Sequence, residues 1–270
     1  MPEFLQHPAI QGGLAPFAAA LVVAAILART KFAGLAILAA YLCVVALTVG
    51  FGFSPLTVSR KILALGLAAP AIGIVADMSG RGGRALAIAI AVAAGVAALW
   101  IFLPVLQQKH TATAWPVALG LALFVAAMVG VIVHLRDDGL RTGAAGLGLG
   151  AAVGIGALLS ASTGYLLNGI ALAAALGALL VVQFAAGRNV AVGFTGALPI
   201  GLLASLFAAA THVLAALPWY ALPLLLLVPL AGLVPFGARL PFRARAVLSC
   251  VVCVSAAAPA ISAAWHATRG

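Results

Sequence analysis

Few side chains in this sequence can do chemistry, and they gather in a handful of short stretches. The first is Ser54-Pro55-Leu56-Thr57-Val58-Ser59-Arg60-Lys61. Read as a helix start, Ser54 is the cap and Pro55 the first helical residue, where a missing N–H does no harm. Thr57, Arg60 and Lys61 then share one face at i, i+3 and i+4. Two cations beside a hydroxyl can attract an anion, or they can reach past apolar stems to lipid headgroups. The second stretch, Ser160-Ala-Ser-Thr-Gly-Tyr-Leu-Leu-Asn-Gly169, is the longest uncharged polar interruption. Ser160, Ser162, Thr163 and Asn168 offer neutral donors and acceptors, either as a tight loop or as part of a solute site. The third pair, Ser205 and His212, lies seven residues apart on one helical face. His212 sits inside an apolar run, where an ionisable group is a functional candidate, although a place near the run's end also permits ordinary interfacial hydrogen bonding.

Other patterns are weaker. Asp77-Met-Ser-Gly-Arg-Gly-Gly-Arg84 has glycines and arginines that can cradle a phosphate, but it lacks Walker spacing. A flexible turn with Asp77 paired to Arg81 or Arg84 is the plainer expectation. Cys250-Val-Val-Cys253 has redox spacing without the βαβ context that redox chemistry of that type uses, so both cysteines are expected to pack as small hydrophobes. None of the four acids, Glu3, Asp77, Asp137 and Asp138, falls mid-run. The histidines His7, His110, His134, His212 and His266 are far apart in sequence, and a metal site assembled in three dimensions stays open. No catalytic triad order, zinc-protease motif or nucleotide loop is present. The expectation is no cofactor, no metal and no catalytic centre.

The elements that must position these groups follow from composition. The chain is 66% hydrophobic and only 7% charged, against about 25% charged in soluble domains. It cannot cover a water-facing surface and reads as one integral membrane domain, residues 1–270, all-α. Ten apolar runs approach the length of a span: 12–29, 33–52, 55–76, 85–106, 115–134, 141–160, 165–186, 193–216, 219–236 and 245–265. Backbone groups facing lipid must be satisfied internally, so each is expected as a helix. Pro70 should kink the third. Pro218, Pro223, Pro229 and Pro235 should bend the ninth.

The net charge of +10 is spread one to three residues at a time, which reads as topology rather than as a nucleic-acid surface. Odd-numbered loops hold Arg29, Lys31, Arg81, Arg84, Arg136, Arg141, Arg188, Arg239, Arg243 and Arg245; even loops and termini hold Arg60, Lys61, Lys109 and Arg269. That bias places both termini outside a cell inner membrane of bacterial type. Trp100, Trp115, Trp219 and Trp265, with Tyr165 and Tyr220, would then mark the outer interface. The N-terminus lacks the basic region and cleavage site of a signal peptide.

Within the sixth run, Gly146, Gly150 and Gly154 recur at four-residue intervals, with Gly143 nearby. This side-chain-poor seam lets backbones approach closely in lipid, and it puts the sixth helix at the expected centre of the bundle. The loop at Asp137–Asp138 separates five runs from five, with possible halves 1–136 and 137–270. An odd number per half would make repeats inverted, and AGLAILAAYL at 33–42 loosely matches NGIALAAALG at 168–177. In size and span number the chain resembles the drug/metabolite transporter superfamily in architecture, without a shared motif. That resemblance implies termini inside, opposite to the charge count.

Two functions fit. One is an inner-membrane permease or channel-like protein for a small neutral or anionic solute, with Thr57, Arg60 and Lys61 attracting it, Ser160, Ser162, Thr163, Asn168, Ser205 and His212 bonding it, and two five-helix halves rocking about the sixth span. The other is a non-catalytic scaffold or assembly subunit of a larger membrane complex. Membrane lipids are the expected partners, with other membrane subunits or a homo-oligomer as further candidates.

Overall fold

The computed structural model describes residues 7–30, 32–80, 83–109, 112–236 and 240–269. Readings that rest on Glu3, Lys31, Arg81, His110 and Arg239 lie outside the described residues. The rest form ten apolar helices: α1 (Ile10–Leu27), α2 (Leu35–Thr48), α3 (Val58–Met78), α4 (Arg84–Lys109), α5 (Ala114–His134), α6 (Gly139–Leu159), α7 (Thr163–Ala186), α8 (Gly193–Ala215), α9 (Ala221–Gly232) and α10 (Phe242–Ala267). Among the described residues there is no strand. The chain is a multi-pass membrane helical bundle. Eight of the helices are long and apolar enough to cross a bilayer; α2 and α9 are shorter.

Local sequence explains the irregular elements. α1 opens with a wide π turn over Ile10–Leu14. Pro16 follows it and has no N–H to return to the Gly12 carbonyl, so an ordinary α turn there would lack a bond. α9 breaks at Leu226 into Ala221–Leu225 and Leu227–Gly232, because Pro229 cannot donate to the Leu225 carbonyl. α10 is interrupted at Ala256–Ala257, just before Pro259. α3 begins later than the sequence suggests. Its cap position is Thr57, with extended backbone (ψ 168°), and Pro55 stays in the preceding loop. The helix runs unbroken through Pro70.

The centre of the bundle is α8. Its most apolar 18-residue stretch is 89% buried, against 72% for α6 and 22% for α1. α6 is enclosed by its neighbours as expected, and α8 is enclosed more fully still. The reason is residue size on every face of α8. Gly196 meets Gly34 at the cap of α2, Thr195 meets Gly73 of α3, and Gly201 meets the Val129 backbone of α5. Ile200 fits the notch at Gly146 of α6. The halves of the chain interleave, with α1 and α2 packed on α7, and α3 and α5 on α8.

α6 and α7 form the tightest helix pair. A methyl group at Gly150 would lie 2.5 Å from the Ala173 nitrogen, and one at Gly169 would lie 2.5 Å from the Gly154 nitrogen. On another face, Gly148 admits the backbone carbonyl of Cys253 in α10. Cys253 is buried in this contact and both CVVC cysteines are free thiols.

The odd-numbered connections meet at one end of the bundle. The Arg188 side chain donates to the Ala28 carbonyl, and the amides of Val192 and Gly193 donate to the Arg136 carbonyl. Asn189 bridges the Leu140 amide and the Asp138 carboxylate, which also pairs with Arg141 at 3.1 Å. Buried Gln183 donates to the Gly139 carbonyl and accepts from the Val190 amide. Polar groups at this end thus find partners in one another, as burial requires.

The glycine contacts give a paired test. Gly150→Ala adds a methyl against the backbone of α7, with overpacking worth about 1–3 kcal/mol, so its melting temperature in mild detergent should fall. Gly177→Ala makes the same chemical change where the nearest group is the Phe17 ring edge at 3.9 Å. It should hold or raise the melting temperature, since alanine favours a helix by about 1 kcal/mol.

Candidate functional site

Ser162 and Asn168 of the second sequence stretch converge with Arg60 of the first around one cavity. It has a volume of about 350 Å³ and opens between α2, α3, α7 and α8 toward the even-numbered connections. α3 contributes Ser59, Arg60, Ile62 and Leu63. The start of α7 contributes Ser162, Tyr165 and Asn168. Tyr41 and Val45 from α2, Val49 just beyond it, and Phe207 and Leu214 from α8 complete the wall. Tyr165 Oη lies 3.2 Å from Ser59 Oγ and ties α7 to α3 at the mouth. Asn168 Nδ2 donates to the Gly164 carbonyl at 2.8 Å, which leaves its second N–H and its amide oxygen for a solute. The Tyr41 hydroxyl makes no hydrogen bond to a described residue, although the side chain is buried.

The cavity narrows where Tyr41, Phe207 and Asn168 meet. Rings of Tyr41 and Tyr165 flank Phe207, with centroids 6.4 and 6.2 Å away. Below them lies a void of only about 10 Å³, lined by the same three residues with Ile37, Leu172 and Leu203. That is room for about one water molecule. Gly66 makes space for the Tyr41 ring; a methyl there would lie 2.5 Å from Tyr41 Cε1. Toward the odd-numbered connections, Gly34 packs on Gly196 and Gly73 on Thr195, backbone against backbone.

Asp77 lies beside these contacts and caps α8. Its Oδ1 accepts from the Phe194 amide at 2.9 Å, and Oδ2 accepts from the Thr195 amide at 2.9 Å and the Thr195 hydroxyl at 2.6 Å. A carboxylate from the last turn of α3 thus serves amides that open α8 and faces the positive end of its dipole. Gly193 beside it has φ +65°, and a side chain there would collide with Asp77 Oδ2. Both conformation and space therefore call for glycine. Of the two arginines expected to pair with Asp77, Arg84 forms no ion pair with it among the described residues, and Arg81 lies outside them. The Arg136 guanidinium instead stacks over the Phe194 ring at 4.4 Å.

The remaining sequence candidates lie elsewhere. Lys61 turns to α4, where Nζ donates to the Trp100 carbonyl at 3.1 Å and sits 4.6 Å over the Trp100 ring. Thr57 is exposed at the α3 cap position, Ser160 closes α6, and Thr163 is the exposed first residue of α7. Ser205 is buried and bonds back to the Gly201 and Leu202 carbonyls of its own helix. His212 lines a different cavity, between α5 and α9. Gly146, Gly150 and Gly154 line neither cavity and face α7 and α8. Sequence reasoning did not single out Tyr41, Ser59 or Phe207. Tyr41 carried a signal, being a phenol in the middle of the apolar run LAILAAYLCVV.

Arg60 is the one charged side chain in the wall of the cavity. Its Nη1 donates to the Pro55 carbonyl at 3.1 Å, and among the described residues it has no carboxylate partner. A cation beside hydroxyls and an amide suits a small anionic or neutral hydrogen-bonding solute. No group of three or more metal-ligating side chains forms among the described residues. The chain matches no family model, no curated protein and no solved structure.

The Asp77 cap can be tested by substitution. Asp77→Ala leaves two amides of α8 without their acceptor and should cost about 2 kcal/mol, read as a lower melting temperature in mild detergent. Asp77→Asn keeps one carbonyl acceptor and should lose clearly less. Equal effects for the two variants would contradict the cap.

Proposed function

We propose that this chain is a permease or channel-like protein that admits a small anionic or neutral solute through the vestibule between α2, α3, α7 and α8. The observation that carries this reading is the meeting of Arg60, Ser162 and Asn168 around one open cavity of about 350 Å³. Arg60 at the mouth draws the solute by charge. Ser59, Tyr165, Asn168 and Tyr41 then exchange its water shell for hydrogen bonds. Passage requires the constriction at Tyr41 and Phe207 to widen and the glycine contacts near Asp77 to part. The moving boundary in this reading is α2 and α3 against α7 and α8, so the glycine-rich α6 is support rather than pivot.

The proposed orientation has odd-numbered connections, rich in arginine, in the cytoplasm and both termini outside an inner membrane. The vestibule then opens outward. Reporter fusions check this: a periplasm-active reporter at the C-terminus should be active, and activity of a cytoplasm-only reporter there would reverse the assignment.

Flux tests the function itself. Purified protein in proteoliposomes should take up one or more small radiolabelled anions from a panel of carboxylates, phosphate and sulfate, above empty vesicles. Arg60→Gln and Asn168→Leu should each reduce that uptake by roughly tenfold, the worth of a charge-assisted hydrogen bond. Flux at the empty-vesicle level across the panel, with the protein purifying in a particle of fixed partner stoichiometry, would replace this reading with the scaffold one.

A further inference from the structure

A second cavity, of about 500 Å³, lies between α5 and α9, on a different part of the bundle from the vestibule. Its walls are two matched stripes. α5 supplies Val117, Gly120, Leu121 and Phe124, and the chain entering and forming α9 supplies Trp219, Leu222, Pro223 and Leu226. Each set is spaced i, i+3, i+4 and i+7, so one continuous helical face confronts another. They stand apart because α9 breaks at Leu226: its second half packs on α5, and its first half leans away. The result is a wedge open toward the even-numbered connections. It runs about 10 Å deep at 1.5 Å per residue.

One polar side chain from α8 faces this wedge. His212 lines it, and its Nδ1 lies 2.6 Å from the Leu217 carbonyl. A carbonyl only accepts, so Nδ1 carries the proton of that bond. In the neutral ring Nε2 is left as an acceptor, and it has no partner among the described residues. Exposed Trp219 and Trp115 stand at the same end, the depth that amphipathic indoles favour at a membrane interface. An apolar slot with one hydrogen-bond acceptor at an interfacial mouth selects a particular occupant. The head must donate a hydrogen bond, and the tail must be a single chain.

We infer that the α5–α9 wedge binds a hydroxyl-headed single-chain lipid, its hydroxyl donating to His212 Nε2 and its hydrocarbon lying between the two stripes. A phosphocholine head brings only acceptors to that nitrogen and fits it poorly. The assignment stands independently of the vestibule and of any transport activity.

Gly120 provides a clean way to close the wedge, because a Cβ there would meet nothing within 4 Å. The experiment uses the full chain in phosphatidylcholine nanodiscs, a dodecanol carrying a diazirine along its chain, and the methyl ether of the same probe. After irradiation, peptide mapping should place label on the stripes of α5 and α9 above that on lipid-facing Leu119 and Leu123. The alcohol should exceed the ether about fivefold, the worth of one neutral hydrogen bond. His212→Phe should bring the alcohol down to the level of the ether, and Gly120→Phe should remove stripe labelling by both. Equal labelling by alcohol and ether would show a slot that takes any chain, phospholipid tails included, and would overturn the inference. So would label spread evenly over Leu119 and Leu123, or a Gly120→Phe variant that labels like the parent.

Discussion

A helix that begins inside a protein, away from water, exposes amide donors that something must accept. α8 is such a helix, and the Asp77 carboxylate is what answers it. Three bonds of 2.6–2.9 Å from one side chain satisfy two amides and the Thr195 hydroxyl. The consequence reaches beyond the cap. Asp77 stands in the last turn of α3, so the bonds fix α3 and α8 in register, and the glycines at 34, 73, 193 and 196 let the helices close on one another there. Lengthen any of those side chains and the carboxylate no longer reaches.

At the opposite end the same helices carry large side chains. Tyr41, Tyr165 and Phe207 cannot interpenetrate as glycines do, and they hold α2, α7 and α8 apart. Small residues at one end and aromatic rings at the other splay the four helices into a vestibule that tapers toward Asp77. The second cavity arises from a different device: proline breaks α9, and half of it swings from α5. Both spaces are written into residue size and backbone chemistry. In a bilayer, apolar area alone would not organise them, since lipid tails are as apolar as leucine and packing must come from shape and hydrogen bonds.

This explains what could be read in advance. Helical spans were legible because 20-residue apolar runs between short polar breaks have few other readings in so apolar a chain. Arg60, Ser162 and Asn168 were legible as polar types in unusual places. The identity of the hub was not. α5 and α8 are both apolar all round, and hydropathy does not separate a helix facing lipid from one facing protein. The informative signal was the small and hydroxylated content of α8, with Thr195, Gly196, Ser205 and Thr211 on a helix otherwise rich in alanine, yet the glycine density of α6 drew the eye instead. Asp77 was visible as a lone acid, but its partners lie 117 and 118 residues onward, a distance at which spacing carries no information. Lys61 and His212 were equally conspicuous; only the fold could show that one turns to Trp100 and the other to a separate slot.

The central claim is a polar vestibule reachable from the even-connection end and sealed at the Asp77 end. Its most direct test is a cysteine at Asn168, in a chain whose Cys43, Cys250 and Cys253 are replaced by alanine, reconstituted in vesicles of uniform orientation. A membrane-impermeant thiosulfonate should modify Asn168→Cys when added on the side of the even-numbered connections, and should leave it untouched from the other side. Modification from the Asp77 side, or from neither, would contradict the account.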